Sequence, residues 1–117
     1  MFLNTTFLHL NDIINWAVDA SAFGDLDLEC QAILIFIANN QLKNQEVCAT
    51  DIISHKDMPG SPVTLFNRIH RLKNHGWIIS EQSIHHHRKL KLTLSSLAIE
   101  NMNMISNLIE FKLGQKL

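Results

Sequence analysis

Residues 61–78 read SPVTLFNRIHRLKNHGWI and carry the most specific structural signals in the chain. Ser61 and Pro62 are typical of a helix start, because serine caps free N–H groups and proline fits the first helical position. Apolar residues follow at the spacing of a single helix face, namely Leu65, Ile69 and Leu72. Gly76 stands where a left-handed residue commonly ends a helix. The stretch therefore predicts a helix over residues 61–75 with one buried face.

The other faces of this helix carry short polar or basic side chains. These candidate DNA-binding residues are Ser61, Pro62, Thr64, Asn67, Arg68, Arg71 and Asn74. Threonine and asparagine can pair with base edges or phosphates, and arginine can fork to guanine or grip a phosphate. A solvated helix face without a ligand is the alternative, but the flanking signals favour contact with DNA.

After Gly76 the periodicity changes from helical to strand-like. Residues 77–80 are aromatic and β-branched, and residues 90–94 alternate apolar with polar side chains. Two strands joined by residues 81–89 predict a β-hairpin with a cationic tip. The tip residues, all candidate DNA contacts, are His85, His86, His87, Arg88 and Lys89.

The remaining segments are predicted to be helical. Residues 5–20 and 95–112 show helical spacing, Asp25 or Asp27 can cap a helix that runs to about residue 40, and Thr50 can cap a short helix. The order is helix, helix, short helix, turn, helix, hairpin, helix. This order predicts a mainly α fold with a small β-hairpin, a winged helix-turn-helix, in which helix 61–75 enters the major groove and wing 81–89 lies on the backbone.

The net charge of −1 hides a strong asymmetry between segments. Residues 1–54 carry seven acidic side chains and one lysine, whereas residues 55–91 carry seven basic side chains and two acidic ones. The basic segment also contains six of the seven histidines, which become more cationic near a polyanion. This polarity suggests an anionic partner such as nucleic acid, although a solvated basic face would show the same charge.

At the level of motifs the sequence resembles a known family. The quoted residues 61–78 look like the recognition-helix signature of bacterial MarR-type winged-helix regulators, and RKLKLT at residues 88–93 is similar to the strand after that family's wing. The resemblance spans roughly residues 28–93. It implies a dimeric repressor or activator on a pseudo-palindromic operator, with the first and last helices building the dimer.

Length and composition limit the other function classes. With 117 residues, 46% of them hydrophobic and 18% charged, the chain is expected to form one folded domain over 1–117, with helices 5–20 and 95–112 used for dimerisation. We expect a cytoplasmic, nucleoid-associated protein, because no apolar run could span a membrane and no secretion signal is recognisable. Cys30 and Cys48 are predicted to be reduced core thiols.

The sequence gives little support for an enzyme or for a metal site. The sequence contains no Gly-rich phosphate loop, no H-E-x-x-H and no C-x-x-C. On a strand at most His85 and His87 share a face, so a third metal ligand would have to come from elsewhere. We therefore predict no catalytic residue, no metal and no cofactor; a small-molecule effector is compatible with the sequence. The function predicted is sequence-specific binding of double-stranded DNA as a homodimer, and the alternative is a winged-helix module that binds an acidic protein partner.

Overall fold

A computed structural model describes residues 1–85 and 89–115 of the chain. Within these ranges it contains five α-helices and one antiparallel β-hairpin. In chain order the elements are α1 (Thr6–Asp19), α2 (Leu28–Leu42), α3 (Ala49–Ile53), α4 (Pro62–Asn74), β1 (Ile78–Gln82), β2 (Leu90–Leu94) and α5 (Ser96–Gly114). A short 3-10 turn, Ala22–Asp25, follows α1. The predicted fold class is confirmed.

The chain forms two compact units. The terminal unit comprises residues 1–25 together with the chain from Glu100 onward, and the central unit comprises residues 26–99. The helix-turn-helix elements and the hairpin all lie in the central unit. Whether the whole chain acts as one domain, as the sequence suggests, stays a prediction.

Helix α4 begins and ends where its local sequence predicts. Ser61 Oγ accepts the backbone N–H of Thr64 at 3.2 Å. At the other end Gly76 has a φ of +79°, its N–H donates to the carbonyl of Lys73 at 3.2 Å, and the N–H of Trp77 donates to the carbonyl of Leu72 at 2.9 Å. These two bonds form a Schellman motif, which satisfies carbonyls that the helix would otherwise leave unpaired.

The buried stripe of α4 fixes the orientation of the helix in the central unit. Leu65, Ile69 and Leu72 are all buried, and α4 contacts α2, α3 and β1. Helix α2 is apolar on several faces and contributes further buried side chains, namely Cys30, Ile33, Leu34 and Ile37. One face of α4 is therefore committed to the core.

The hairpin extends from this core in a regular register. Ile78 pairs with Leu94 and Gln82 pairs with Leu90, so β1 and β2 align over their full lengths. Leu92 N–H also donates to the carbonyl of Val47 at 2.7 Å, which ties β2 to the segment before α3. The base of the hairpin is thus attached to the helix-turn-helix elements.

Two expectations about the α3 region are wrong. Helix α3 is capped by Cys48 rather than Thr50, because the Asp51 carboxylate accepts the backbone N–H of Cys48 at 2.9 Å. Cys48 is only half-buried, whereas Cys30 lies in the core as predicted. The Cys48 thiol lies 3.1 Å from the Thr50 hydroxyl and 3.1 Å from an Asp51 carboxylate oxygen, so it belongs to the polar start of α3 rather than to the core.

The terminal unit has a small core and a large apolar exterior. Ile13, Ala17 and Phe23 are buried, and the N–H of Phe23 donates to Asn101 Oδ1 at 3.2 Å. Lys112 Nζ lies 5.0 Å from the centre of the Trp16 ring, a cation–π contact. Large apolar side chains remain exposed on α1, namely Phe7, Leu8, Leu10 and Ile14. Of the helices that the structure describes, none is both long and apolar enough to cross a bilayer.

We predict that Gly76→Ala destabilises the protein by about 1–2 kcal/mol, because the left-handed conformation brings an L side chain too close to its own backbone. An added Cβ at Gly76 meets no other atom within 4 Å, so the cost is confined to the backbone. Gly114→Ala is the matched control, since its Cβ also meets open space and its φ is not left-handed. Urea unfolding measures both changes; equal stabilities for the two variants would contradict the capping argument.

Candidate nucleic-acid interface

The exposed side of α4 carries most of the residues that the sequence singled out. Asn67, Arg71 and Asn74 are exposed, as are Ser61 and Pro62 at the start of the helix. Their positions on one short helix leave them available to a groove-binding contact. Their contact with DNA stays a prediction.

The hydroxyl groups at the start of α4 are engaged with each other. Ser61 Oγ accepts the Thr64 N–H and donates to Thr64 Oγ1 at 3.0 Å. Thr64 is half-buried. These two side chains therefore shape the helix end first, and a DNA contact by either would have to share a hydroxyl that already has a partner.

The two arginines of α4 converge on one carboxylate. Arg68 Nε lies 2.7 Å from Asp27 Oδ2, and Arg71 reaches the same oxygen at 3.4 Å through a terminal guanidinium nitrogen. The Arg68 side chain is 24% exposed and that of Arg71 is 50% exposed. Arg68 is thus directed towards the start of α2, whereas Arg71 keeps much of its guanidinium in solvent.

Asp27 is held in its charged form at the start of α2. Partial burial raises the pKa of the Asp27 carboxyl, but hydrogen bonds from the backbone N–H and thiol of Cys30, with the nearby Arg68 charge, outweigh burial and bring the pKa below its ordinary value. The N–H bond to Oδ1 is 2.9 Å long and caps α2. Burial, followed by the bond to Asp27, raises the pKa of the Cys30 thiol to about 12, so this thiol stays protonated and unreactive.

The hairpin presents basic side chains beside α4. Lys89 and His85 are exposed, and Lys91 Nζ lies 3.5 Å from a carboxylate oxygen of Glu81 across the strands. The predicted contacts His86, His87 and Arg88 lie outside the described residues. Among the residues that are described, no group of three His, Cys, Asp or Glu side chains is arranged to hold a metal ion.

Glu46, a carboxylate that no sequence motif marks, holds the first residues after β1. Ser83 Oγ donates to Glu46 Oε2 at 2.6 Å and accepts the N–H of His85 at 3.2 Å. The Ile84 N–H reaches Glu46 Oε1 at 3.4 Å, and the Ser83 N–H donates to the carbonyl of Lys89 at 3.0 Å. The bond from Ser83 is the main cause that lowers the pKa of the Glu46 carboxyl. We call the hydrogen-bonded pair of Glu46 and Ser83 the wing latch.

We predict that Ser83→Ala speeds hydrogen exchange at the amides of Ile84 and His85, because the variant loses the hydroxyl that joins the loop to Glu46. Since the Glu46 pKa is depressed, the latch contributes fully at neutral pH and is lost only as pH falls below the ordinary glutamate range. Ser80→Ala is the control: Ser80 Oγ is buried without a hydrogen-bond partner among the residues that the structure describes. Equal exchange rates in the two variants would contradict the latch.

A groove of about 340 Å³ runs between α3, α4 and the strands of the central unit. Its walls are mainly apolar, with Phe66, Ile69 and Leu92 among them, and Lys73 and Lys89 lie at its edge. Ser80 also lines it, and its hydroxyl has no hydrogen-bond partner within residues 1–85 and 89–115. An apolar cleft with a few convergent polar groups is the usual form of a small-molecule site.

Solved transcription regulators share this fold. MepR of S. aureus bound to ethidium bromide aligns over 100% of this chain and 84% of its own, with a TM-score of 0.71 and 16% identity. A mutant MepR bound to an oligodeoxyribonucleotide aligns over 99% and 86%, with a TM-score of 0.68 and 14% identity. A MarR-like transcription regulator from Bacillus cereus aligns over 93% and 72%, with a TM-score of 0.56 and 16% identity.

These likenesses define the class to which the fold belongs. The chain has the winged helix-turn-helix fold of MarR-like regulators, which confirms the resemblance seen in residues 61–78 at the level of fold. No family model and no curated protein matches the sequence. The solved structures named above are transcription regulators rather than enzymes.

Proposed function

We propose that the protein is a transcriptional regulator that binds a specific sequence of double-stranded DNA as a homodimer. The observation that carries this proposal is the exposed polar face of α4, which a buried apolar stripe holds in a fixed orientation next to a cationic hairpin. The shared fold supports it, since one of the similar proteins was solved with an oligodeoxyribonucleotide.

Helix α4 has the dimensions and side chains for the major groove. Its 13 residues span about 20 Å, and the groove of B-DNA is wide enough to admit one helix. Asn67 can pair with an adenine edge, and Arg71 can fork to a guanine or hold a phosphate. Asn74, exposed at the end of the helix, would contact the DNA backbone. These roles would give α4 both positioning and base-reading contacts.

The wing supplies a second, sequence-independent contact. Lys89 is exposed at the end of the loop that the latch holds, and His85 is exposed at its start. With the predicted contributions of residues 86–88, the wing would neutralise phosphates beside the groove that α4 enters. Binding would therefore weaken steeply as salt is added.

The homodimer is proposed from the exterior of the terminal unit. Phe7 is 73% exposed and Phe111 is 61% exposed, and several other apolar side chains of α1 are also open to solvent. A large amount of exposed apolar surface on a folded protein commonly marks an interaction site. Pairing two copies would present two recognition helices to two half-sites, which a single small helix needs for operator affinity.

We also propose that a small-molecule effector binds the groove beside α4. The groove beside α4 offers apolar walls, two lysines and the Ser80 hydroxyl. A ligand there would touch both the recognition helix and β2, so it could change how α4 and the wing meet DNA. One structurally similar protein was solved with ethidium bound.

Selection of bound sequences from random duplex DNA tests the proposed function. We expect one enriched motif with two inverted half-sites, bound at least about a thousandfold more tightly than bulk DNA. The alternative is a protein-interaction module whose basic face binds an acidic partner. It predicts that no sequence is enriched, and this result would overturn the proposal.

A further inference from the structure

Asp27 meets three different partners with its two oxygens. Its Oδ1 accepts the N–H of Cys30 and caps α2, while Oδ2 receives both arginines of α4. The cap joins residues that are close in sequence. Arg71, by contrast, lies 44 residues after Asp27 in the chain. One carboxylate therefore joins the start of α2 to the recognition helix.

This arrangement imitates a bound phosphate. Asp27 Oδ2 accepts a hydrogen bond from Arg71 and forms an ion pair with Arg68, and a phosphate oxygen of DNA would offer the same negative charge to both arginines. The two arginines differ in how firmly they are held: Arg68 has the shorter contact, 2.7 Å, and the lower exposure. Arg71 has a longer contact, 3.4 Å, and a side chain that is half exposed. Exchange of partners by Arg71 would require only a change in the end of its side chain.

We propose that Asp27 is a positioning residue that sets the DNA specificity of α4 by occupying its arginines. Asp27 retains Arg68 within the fold, and it holds Arg71 until a correctly placed phosphate or guanine edge displaces the carboxylate. This inference rests on the proposed function. Asp27 weakens the binding of α4 to DNA of any sequence. Base contacts then contribute a larger share of the binding free energy.

The physical basis is the competition between two anions for the same cations. Every arginine that a phosphate captures releases counterions, and this release drives non-specific binding. An arginine paired inside the protein adds little to that effect. A neutral side chain at position 27 would free both guanidinium groups for the DNA backbone, where they would bind every sequence alike.

The decisive variant is Asp27→Asn. Asparagine caps helices as well as aspartate does, so α2 keeps its cap while the counter-charge is removed. Asp25→Asn is the matched control, because it changes the net charge by the same amount from an exposed position in the 3-10 turn. Asp27→Ser also removes the charge and retains a capping oxygen, and it serves if the asparagine variant folds poorly.

Fluorescence anisotropy measures the affinity of each variant for the selected duplex and for bulk DNA at several salt concentrations. For Asp27→Asn we expect tighter binding to bulk DNA, a salt slope steeper by about one unit for each freed arginine, and a lower ratio of specific to bulk affinity. Asp25→Asn should show the wild-type ratio. If wild type binds DNA but the two variants behave alike, this inference is overturned and the proposed function stands. If wild type binds no duplex, both fail.

Discussion

Phe7→Asp is expected to turn the protein into a monomer and to lower its affinity for an operator by a factor of roughly 10² to 10⁴, the usual gain from linking two binding sites. Phe7 is 73% exposed in the first turn of α1. In the proposed dimer this ring would be covered, and an aspartate there would lose its hydration without a partner. Sedimentation velocity and DNA titration measure the two effects on the same sample.

The folded monomer should tolerate this substitution. An acidic residue in the first turn is favourable for the helix dipole, and the exposed ring is outside the core of the terminal unit. Leu42→Lys is the matched control, because Leu42 is 83% exposed at the end of α2 and a cation suits that end of a helix. A Phe7→Asp variant that remains dimeric would show that the α1 surface is not the dimer contact.

Leu65→Ala is expected to lower the free energy of unfolding by about 2–5 kcal/mol, because the side chain is fully buried and its loss leaves a cavity. This is a large share of the 5–15 kcal/mol that stabilises a typical domain. Leu65 belongs to the stripe that docks α4, so the variant should lose DNA binding together with stability. Denaturant unfolding gives the first quantity.

Val63→Ala provides the comparison within the same helix. Val63 is 71% exposed, and a surface change of this kind usually alters stability by no more than about 0.5 kcal/mol. A drop of less than 1 kcal/mol for Leu65→Ala would mean that the stripe is not packed as the structure has it. Burial of the Leu65 side chain would then not be what orients α4.

The local signals of the sequence were enough to predict the fold. Ser61, Pro62 and Gly76 place the ends of α4 because caps act over three or four residues and need no tertiary context. The alternation in residues 90–94 likewise predicts a strand from its own pattern. The order of these elements then limits the topology to a winged helix, and the solved structures confirm that class.

The contacts that tune the interface could not be predicted in the same way. Asp27 was recognised as a possible cap, but its pairing with Arg68 depends on how α2 crosses α4. Glu46 and Ser83 lie 37 residues apart and meet only because the hairpin folds back onto the segment before α3. Such pairs are set by packing between elements, and nothing in either local sequence marks them.

Packing between elements also determines where the Arg68 side chain lies. Helical spacing places this residue away from the buried stripe and therefore predicts an outward-facing side chain. The structure directs its guanidinium to Asp27, on the neighbouring helix, where it is mostly covered. A position on a helical wheel gives the direction in which a side chain leaves the backbone, but a long side chain can turn towards a charge several ångströms away.

The central claim is that the outer face of α4 reads base edges, and Asn67→Ala tests it most directly. The affinities of wild type and variant are compared on the selected duplex and on duplexes that differ from it by a single base pair. We expect wild type to discriminate at one or more positions by about 1–3 kcal/mol, and Asn67→Ala to lose that discrimination at one position only. Equal weakening on every duplex, or a wild type that does not discriminate, would contradict the claim.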